Sequence, residues 1–178
     1  PLADLPIGGI QEKYNYTQLS TGALDIELRG LTAGTEFDQL KVVGTVTLAN
    51  CTLSGNSAGY GGGGGIYNQG TGNVTLTNCT LSGNSADLEG GGIYSLGGVV
   101  VTLTNSTLIE SPIYTWDNAT LTNCTFIESA IENRGTATLT NCTLIDSPIK
   151  TGGNDATATL TNCTLIESAI TNRFFCGC

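Results

Sequence analysis

The chain has 178 residues, with six Lys and Arg against fifteen Asp and Glu, no His, no Met and 25 Gly, for a net charge of −9. That balance excludes nucleic acid and an anionic membrane surface as partners, because both require a cationic patch. No apolar run reaches the roughly 18 residues a membrane-spanning helix needs, and without His no Ser/His or Cys/His catalytic pair can form.

In chain order, residues 1–44 read as N-terminal strands and first rungs, 45–172 as regular repeats, and 173–178 as a Cys-bearing tail, all in a single domain. A start at Pro1 fits a mature product that has lost its leader, or a trimmed chain. Scarce charge with abundant Thr, Ser, Asn and Gly points to an extracellular or cell-surface location.

The string Val-Thr-Leu-Thr-Asn-Cys-Thr-Leu at 74–81 recurs from Val46, Val101, Ala119, Ala137 and Ala158. The Cys position runs Cys51, Cys79, Ser106, Cys124, Cys142, Cys163, in steps of 28, 27, 18, 18 and 21 residues. A second marker, Ile after small residues, runs Ile66, Ile93, Ile113, Ile131, Ile149, Ile170 with nearly the same uneven steps. A fixed period of this length is the signature of a solenoid. Val74 and Leu76 alternate with Thr75 and Thr77, which is strand patterning, and the parity breaks at Asn78 before Cys79 and Leu81 resume it. A one-residue break means a corner, and Asn tolerates the left-handed backbone a corner requires. The expected fold is therefore all-β: a right-handed, single-stranded parallel β-helix of about six or seven rungs, each 18–28 residues, three strands to a rung.

Parallel stacking at about 4.7–4.9 Å turns equivalent positions into columns. Inward columns are expected for Leu48, Leu76, Leu103, Leu121, Leu139 and Leu160, and for the Ile marker. Cys51, Cys79, Cys124, Cys142 and Cys163 should stack as core thiols, inert because parallel side chains offer poor torsion for a disulfide. Asn50, Asn78, Asn105, Asn123, Asn141 and Asn162 should form an inward ladder of side-chain amides, which would leave their Asn-x-Thr sequons unavailable for glycosylation.

The units Leu81-Ser-Gly-Asn-Ser-Ala86 with Gly90-Gly-Gly-Ile-Tyr94, and Leu53 to Ala58 with Gly62 to Tyr67, resemble the paired repeat motifs of polymorphic outer-membrane proteins. The resemblance covers roughly residues 45–100 and implies a β-helical passenger exported to a bacterial cell surface. It departs in later repeats, where Ile-Glu-Ser-Ala-Ile replaces the Gly-rich loop. Gly61–Gly65 lacks the Lys-Ser/Thr of a phosphate loop and reads as a flexible turn.

Outward, Thr75/Thr77, Thr102/Thr104, Thr120/Thr122, Thr138/Thr140 and Thr159/Thr161 should tile one flat sheet, about 6.6–6.8 Å apart along a strand and about 4.8 Å between rungs. This array resembles the Thr-x-Thr ranks of β-helical antifreeze proteins, which implies ice as a ligand. Thr is also simply a good exposed strand residue, and the same face would serve a glycan or a neighbouring molecule. Glu110, Glu128, Asp146 and Glu167 form an acidic column that would recruit a cation such as calcium or splay into water. Cys176 and Cys178, after the repeats, could bridge to another chain, to Cys163 or, under strain, to each other, and no catalytic or cofactor-binding set is expected. Asp25, Glu27, Glu36 and Asp38 are close in sequence without the paired geometry that glycoside hydrolysis needs. The leading expectation is an extracellular structural subunit that homo-oligomerises end to end into a filament or layer. A monomeric adhesin or ice binder using the Thr face stands second, and a polysaccharide lyase or hydrolase last.

Overall fold

A computed structural model describes residues 11–12, 16–18, 25–26, 39–58, 62–153 and 155–172; for the first three segments this means the backbone only. Among the described residues every element is a short strand, and every strand pairing is parallel. The strands fall into an eight-stranded and two seven-stranded sheets, with a two-stranded sheet formed by Ser57–Ala58 and Ser85–Ala86. Successive strands of a rung go to successive sheets, so the chain winds as a three-sided coil.

The first sheet contains Leu40–Val42, Ile66–Asn68, Ile93–Ser95, Ile113–Thr115, Ile131–Asn133, Ile149–Thr151 and Ile170–Asn172. The second carries the Thr-x-Thr strands, Val46–Ala49 through Ala158–Thr161. The third carries Thr52–Ser54 through Thr164–Ile166. Register follows the repeat: Leu76 pairs with Leu48 and Leu103, and Ile113 with Ile93 and Ile131. The two long steps place most of their extra residues between the third and first sheets, in the Gly-rich segments before Ile66 and Ile93, and the rest between the first and second sheets.

Alternation decides what is inside. Leu48, Leu76, Leu103, Leu121 and Leu139 are fully buried, as are Leu53, Leu81, Leu108, Phe126 and Leu144 on the third sheet. Each such side chain contributes about 1.5–3 kcal/mol by leaving water, but only because a neighbouring rung covers it. Leu160 and Leu165, in the last described rung, are only partly buried.

Two corners turn on left-handed residues. Between the second and third sheets stand Asn50, Asn78, Asn105, Asn123, Asn141 and Asn162, at φ of 50–56°. After the third sheet the same conformation falls to Gly55 and Gly83, then to Glu110, Glu128, Asp146 and Glu167 at φ of 47–52°. The residue following each such corner re-enters the core: Cys51, Cys79, Ser106, Cys124 and Cys142 at the first corner, and Asn56, Asn84, Ser111, Ser129 and Ser147 at the second.

Two expectations change here. The Asn ladder exists, with Asn78 donating to Asn50 (3.1 Å), Asn123 to Asn105 (3.0 Å) and Asn141 to Asn123 (3.1 Å), but it lies on the exposed surface. A residue in the left-handed conformation at the corner directs its side chain outward, so the sequons there are not shielded by burial. The Gly-rich segment is not a loose turn: Gly62–Gly65 are buried, and a Cβ on Gly64 would come within 2.1 Å of the Ser85 carbonyl oxygen. Glycine is required there because neighbouring backbones meet without room for a side chain.

Candidate functional site

The second sheet places the Thr ranks where the pattern predicted. Thr102 and Thr104 pair in register with Thr75 and Thr77 on one side and with Thr120 and Thr122 on the other. Thr138 and Thr140, then Thr159 and Thr161, continue the two rows. All ten side chains are half-buried or exposed, while Val101, Leu103, Ala119 and Leu121 between them are fully buried.

Sequence reasoning missed the third sheet's outward side. Thr80, Thr107, Thr125, Thr143 and Thr164 form a further row, joined two residues on by Ile109, Ile127, Ile145 and Ile166. The signal was present, since a Thr follows every Cys or Ser of the repeat, with Ser54 and Ser82 and then Ile109, Ile127, Ile145 and Ile166 two residues on. From Val46 to Thr161 on the second sheet, and from Thr52 to Ile166 on the third, no outward strand position carries a charge. Despite the net charge of −9, two of the three faces are neutral over these strands.

Charge gathers on the first sheet and at the turns. Its outward column runs Lys41, Tyr67, Tyr94, Tyr114, Glu132, Lys150. The three tyrosines stack nearly parallel, with centroids 5.6 and 5.2 Å apart. Lys41 sits over Tyr67 at 5.3 Å, and Arg134 over Trp116 at 4.0 Å and Tyr114 at 6.0 Å. Lys150 pairs with Glu132. Burial, then the charge of Glu89, holds the Tyr94 and Tyr114 phenols above their ordinary value. Tyr114, Glu89, Glu132, Arg134 and Lys150 line a shallow groove. This aromatic and charged column was also missed, because its residues differ from rung to rung and only the register aligns them.

The acidic column is in place as four exposed corners, and Glu110 and Glu128 border a shallow depression with Glu89. Among the described residues, no three His, Cys, Asp or Glu side chains gather closely enough to hold a metal ion. Asp25 enters the third sheet opposite Thr52 as backbone. Glu27, Glu36, Asp38, Cys176 and Cys178 lie outside the described residues.

The sequence of residues 39–172 matches the family model described as right handed beta helix region. The chain belongs to the right-handed β-helix family. No curated protein and no solved structure matches it. Membership fixes this β-helix's architecture and leaves its activity to the chemistry of its surfaces.

Inside the β-helix, no disulfide joins the five Cys of the column. Cys51, Cys79, Cys124 and Cys142 are buried, and Cys163 in the last described rung is half-buried. Each thiol donates to the carbonyl two residues earlier: Cys51 to Ala49, Cys79 to Thr77 and Cys124 to Thr122 at 3.3 Å, Cys142 to Thr140 and Cys163 to Thr161 at 3.4 Å. Ser106 does the same toward Thr104 at 2.9 Å, which explains why Ser substitutes there. Burial raises the Cys79 thiol above its ordinary value. The contact between Cys124 and Cys142, together with burial, couples the two thiols and disfavours ionising both.

Proposed function

We propose that this β-helix is a secreted, non-catalytic surface-contact protein that acts through its Thr-x-Thr face, with ice as the surface bound. The observation that supports this is the second sheet's pair of uncharged Thr rows, in register over five rungs. The rows repeat at about 4.8 Å across strands and about 6.6–6.8 Å along them. A crystal face of a neutral molecule is also a two-dimensional repeat, and it offers neither charge nor flexibility for an adaptable site to exploit. A rigid array of methyl and hydroxyl groups meets such a surface without ordering cost, since the rung stacking has already fixed the side chains. The absence of aromatic residues among the outward positions of this sheet from Val46 to Thr161 favours ice over a sugar polymer, whose rings are usually held by aromatic stacking. The test is partition of the purified chain into slowly growing ice. Enrichment in the solid, lost in the Thr122→Tyr/Thr140→Tyr variant with circular dichroism unchanged, is expected; exclusion of the unaltered chain from ice overturns the reading.

A second reading, end-to-end assembly into a filament, is favoured by one observation. Ile149 is fully buried, whereas its column neighbour Ile170 in the last described strand is 49 % exposed, and Leu160 and Leu165 in the same rung are only partly buried. A further rung from another copy would close those columns. Electron microscopy of the same preparation separates the readings, with filaments for one and short single rods for the other.

A further inference from the structure

We propose that the buried Cys column binds soft d10 metal ions in linear, two-sulfur sites, one held by Cys51 and Cys79 and one by Cys124 and Cys142. Every thiol in the column bonds the carbonyl two residues before it, at 3.3–3.4 Å, so all five side chains share one orientation. The rungs that carry them are in register, Thr80 against Thr52 and Thr125 against Thr143. Equal side-chain orientation on stacked rungs sets neighbouring sulfurs one rung apart, about 4.7–4.9 Å. That is far beyond the roughly 2.05 Å of a disulfide, and reaching it would force both side chains out of their shared orientation. It is close to twice a metal–thiolate bond of about 2.3 Å, taking zinc–sulfur as the scale. An ion midway between two such sulfurs has collinear bonds, the geometry that soft d10 ions favour and that harder or tetrahedral ions do not. The column holds its ligands in a line, so no third sulfur converges on the same point.

Ser106 divides the column. Its hydroxyl accepts from the Cys79 backbone N–H at 3.1 Å and separates Cys51/Cys79 from Cys124/Cys142/Cys163. Cys142 also reaches back toward the previous rung, its thiol 3.4 Å from the Leu121 carbonyl, and Cys79 likewise toward Leu48 at 3.6 Å. Binding releases two protons to solvent and forms two sulfur–metal bonds, with no electron transferred. A divalent soft ion leaves a neutral site, which suits a core without counter-charges; Hg(II) is therefore held more tightly than Ag(I). The half-buried Cys163 marks the end of the column nearest solvent.

The test uses the full chain with Cys176→Ser and Cys178→Ser, freed of reductant and titrated with Hg(II) against excess 2-mercaptoethanol. Two equivalents are expected to stay bound, each with two sulfurs in line by X-ray absorption. Cys51→Ser should drop the count from two to one, and Cys142→Ser should do the same, since it leaves Cys124 and Cys163 two rungs apart. Ser106 already occupies this column with the same carbonyl bond, so these variants retain the fold, checked by circular dichroism; if one does not, the other alone must show the drop. Complete removal of metal by the competitor, a count unchanged by both substitutions, or coordination by other than two sulfurs overturns the proposal.

Discussion

Gly83 and Glu128 occupy the same corner in different rungs, at φ of 60° and 49°, and only one of them is suited to it. A side chain in the left-handed region costs about 1–2 kcal/mol, against roughly 0.5–1 kcal/mol of extra entropy for Gly. A Cβ on Gly55 or Gly83 meets nothing within 4 Å, so the column is open on that side and the carboxylates gain no packing. Glu128→Gly should therefore raise stability by up to about 1 kcal/mol, read as a higher denaturation midpoint. No gain would mean that Glu128 makes a compensating interaction. The Cys79 thiol makes a second residue-level case. Burial raises it, so above about pH 8.5, where an unfolded thiol ionises, the unfolded state has released a proton that the native state keeps. Its contribution is constant below that pH and is lost as pH rises toward the folded value. Thermal scans from pH 7 to 9.5 should show an alkaline fall that is shallower in Cys79→Ser.

At the scale of the element, the second corner matters more than the Asn ladder. The buried chain of bonds runs from the Asn84 N–H to Ser111 (3.1 Å), from the Ser111 N–H to Ser129 and from the Ser129 N–H to Ser147 (both 2.9 Å). Ser129 in turn donates to the Ile127 carbonyl at 2.9 Å. Ser129→Ala orphans a buried donor, the Ser111 N–H, while the Ile127 carbonyl keeps its bond from the Glu110 N–H, a loss of about 1–3 kcal/mol, whereas Asn123→Gly, which keeps the left-handed corner, should cost well under that because water replaces the exposed amide. Equal losses from the two substitutions in urea denaturation would refute this ranking. The contrast also shows what the sequence makes legible. Rung lengths, the Leu and Ile columns and the Thr rows all repeat, and the register found between strands follows from them. Side-chain direction at the corners did not follow, because period-2 reasoning stops where the backbone turns left-handed. The Tyr67–Tyr94–Tyr114 stack was invisible for a related reason: it is a column of one outward position per rung, and nothing in a single rung announces it.

For the whole molecule, stability is a sum over rungs and their contacts rather than the property of one core. An interior rung is covered on both sides, and the last described rung on one. Leu121 is fully buried between Leu103 and Leu139, while Leu160, in the same column, is only partly buried. Leu121→Ala should cost about 2–5 kcal/mol, the range for a cavity that cannot collapse, because the rung spacing is fixed by backbone bonds on both sides. Leu160→Ala opens no closed cavity and should cost much less. Native-state hydrogen exchange should follow the same gradient, with amides of Ala158–Thr161 and Thr164–Ile166 exchanging through local opening and those of Ala119–Thr122 only through opening of many rungs. If all of these amides exchange with one free energy, the rungs unfold together and the additive picture fails. If the end rung is protected to the same degree as the centre in concentrated solution but not in dilute solution, another copy is covering it. The concentration series thus measures the rung energetics and the filament reading together.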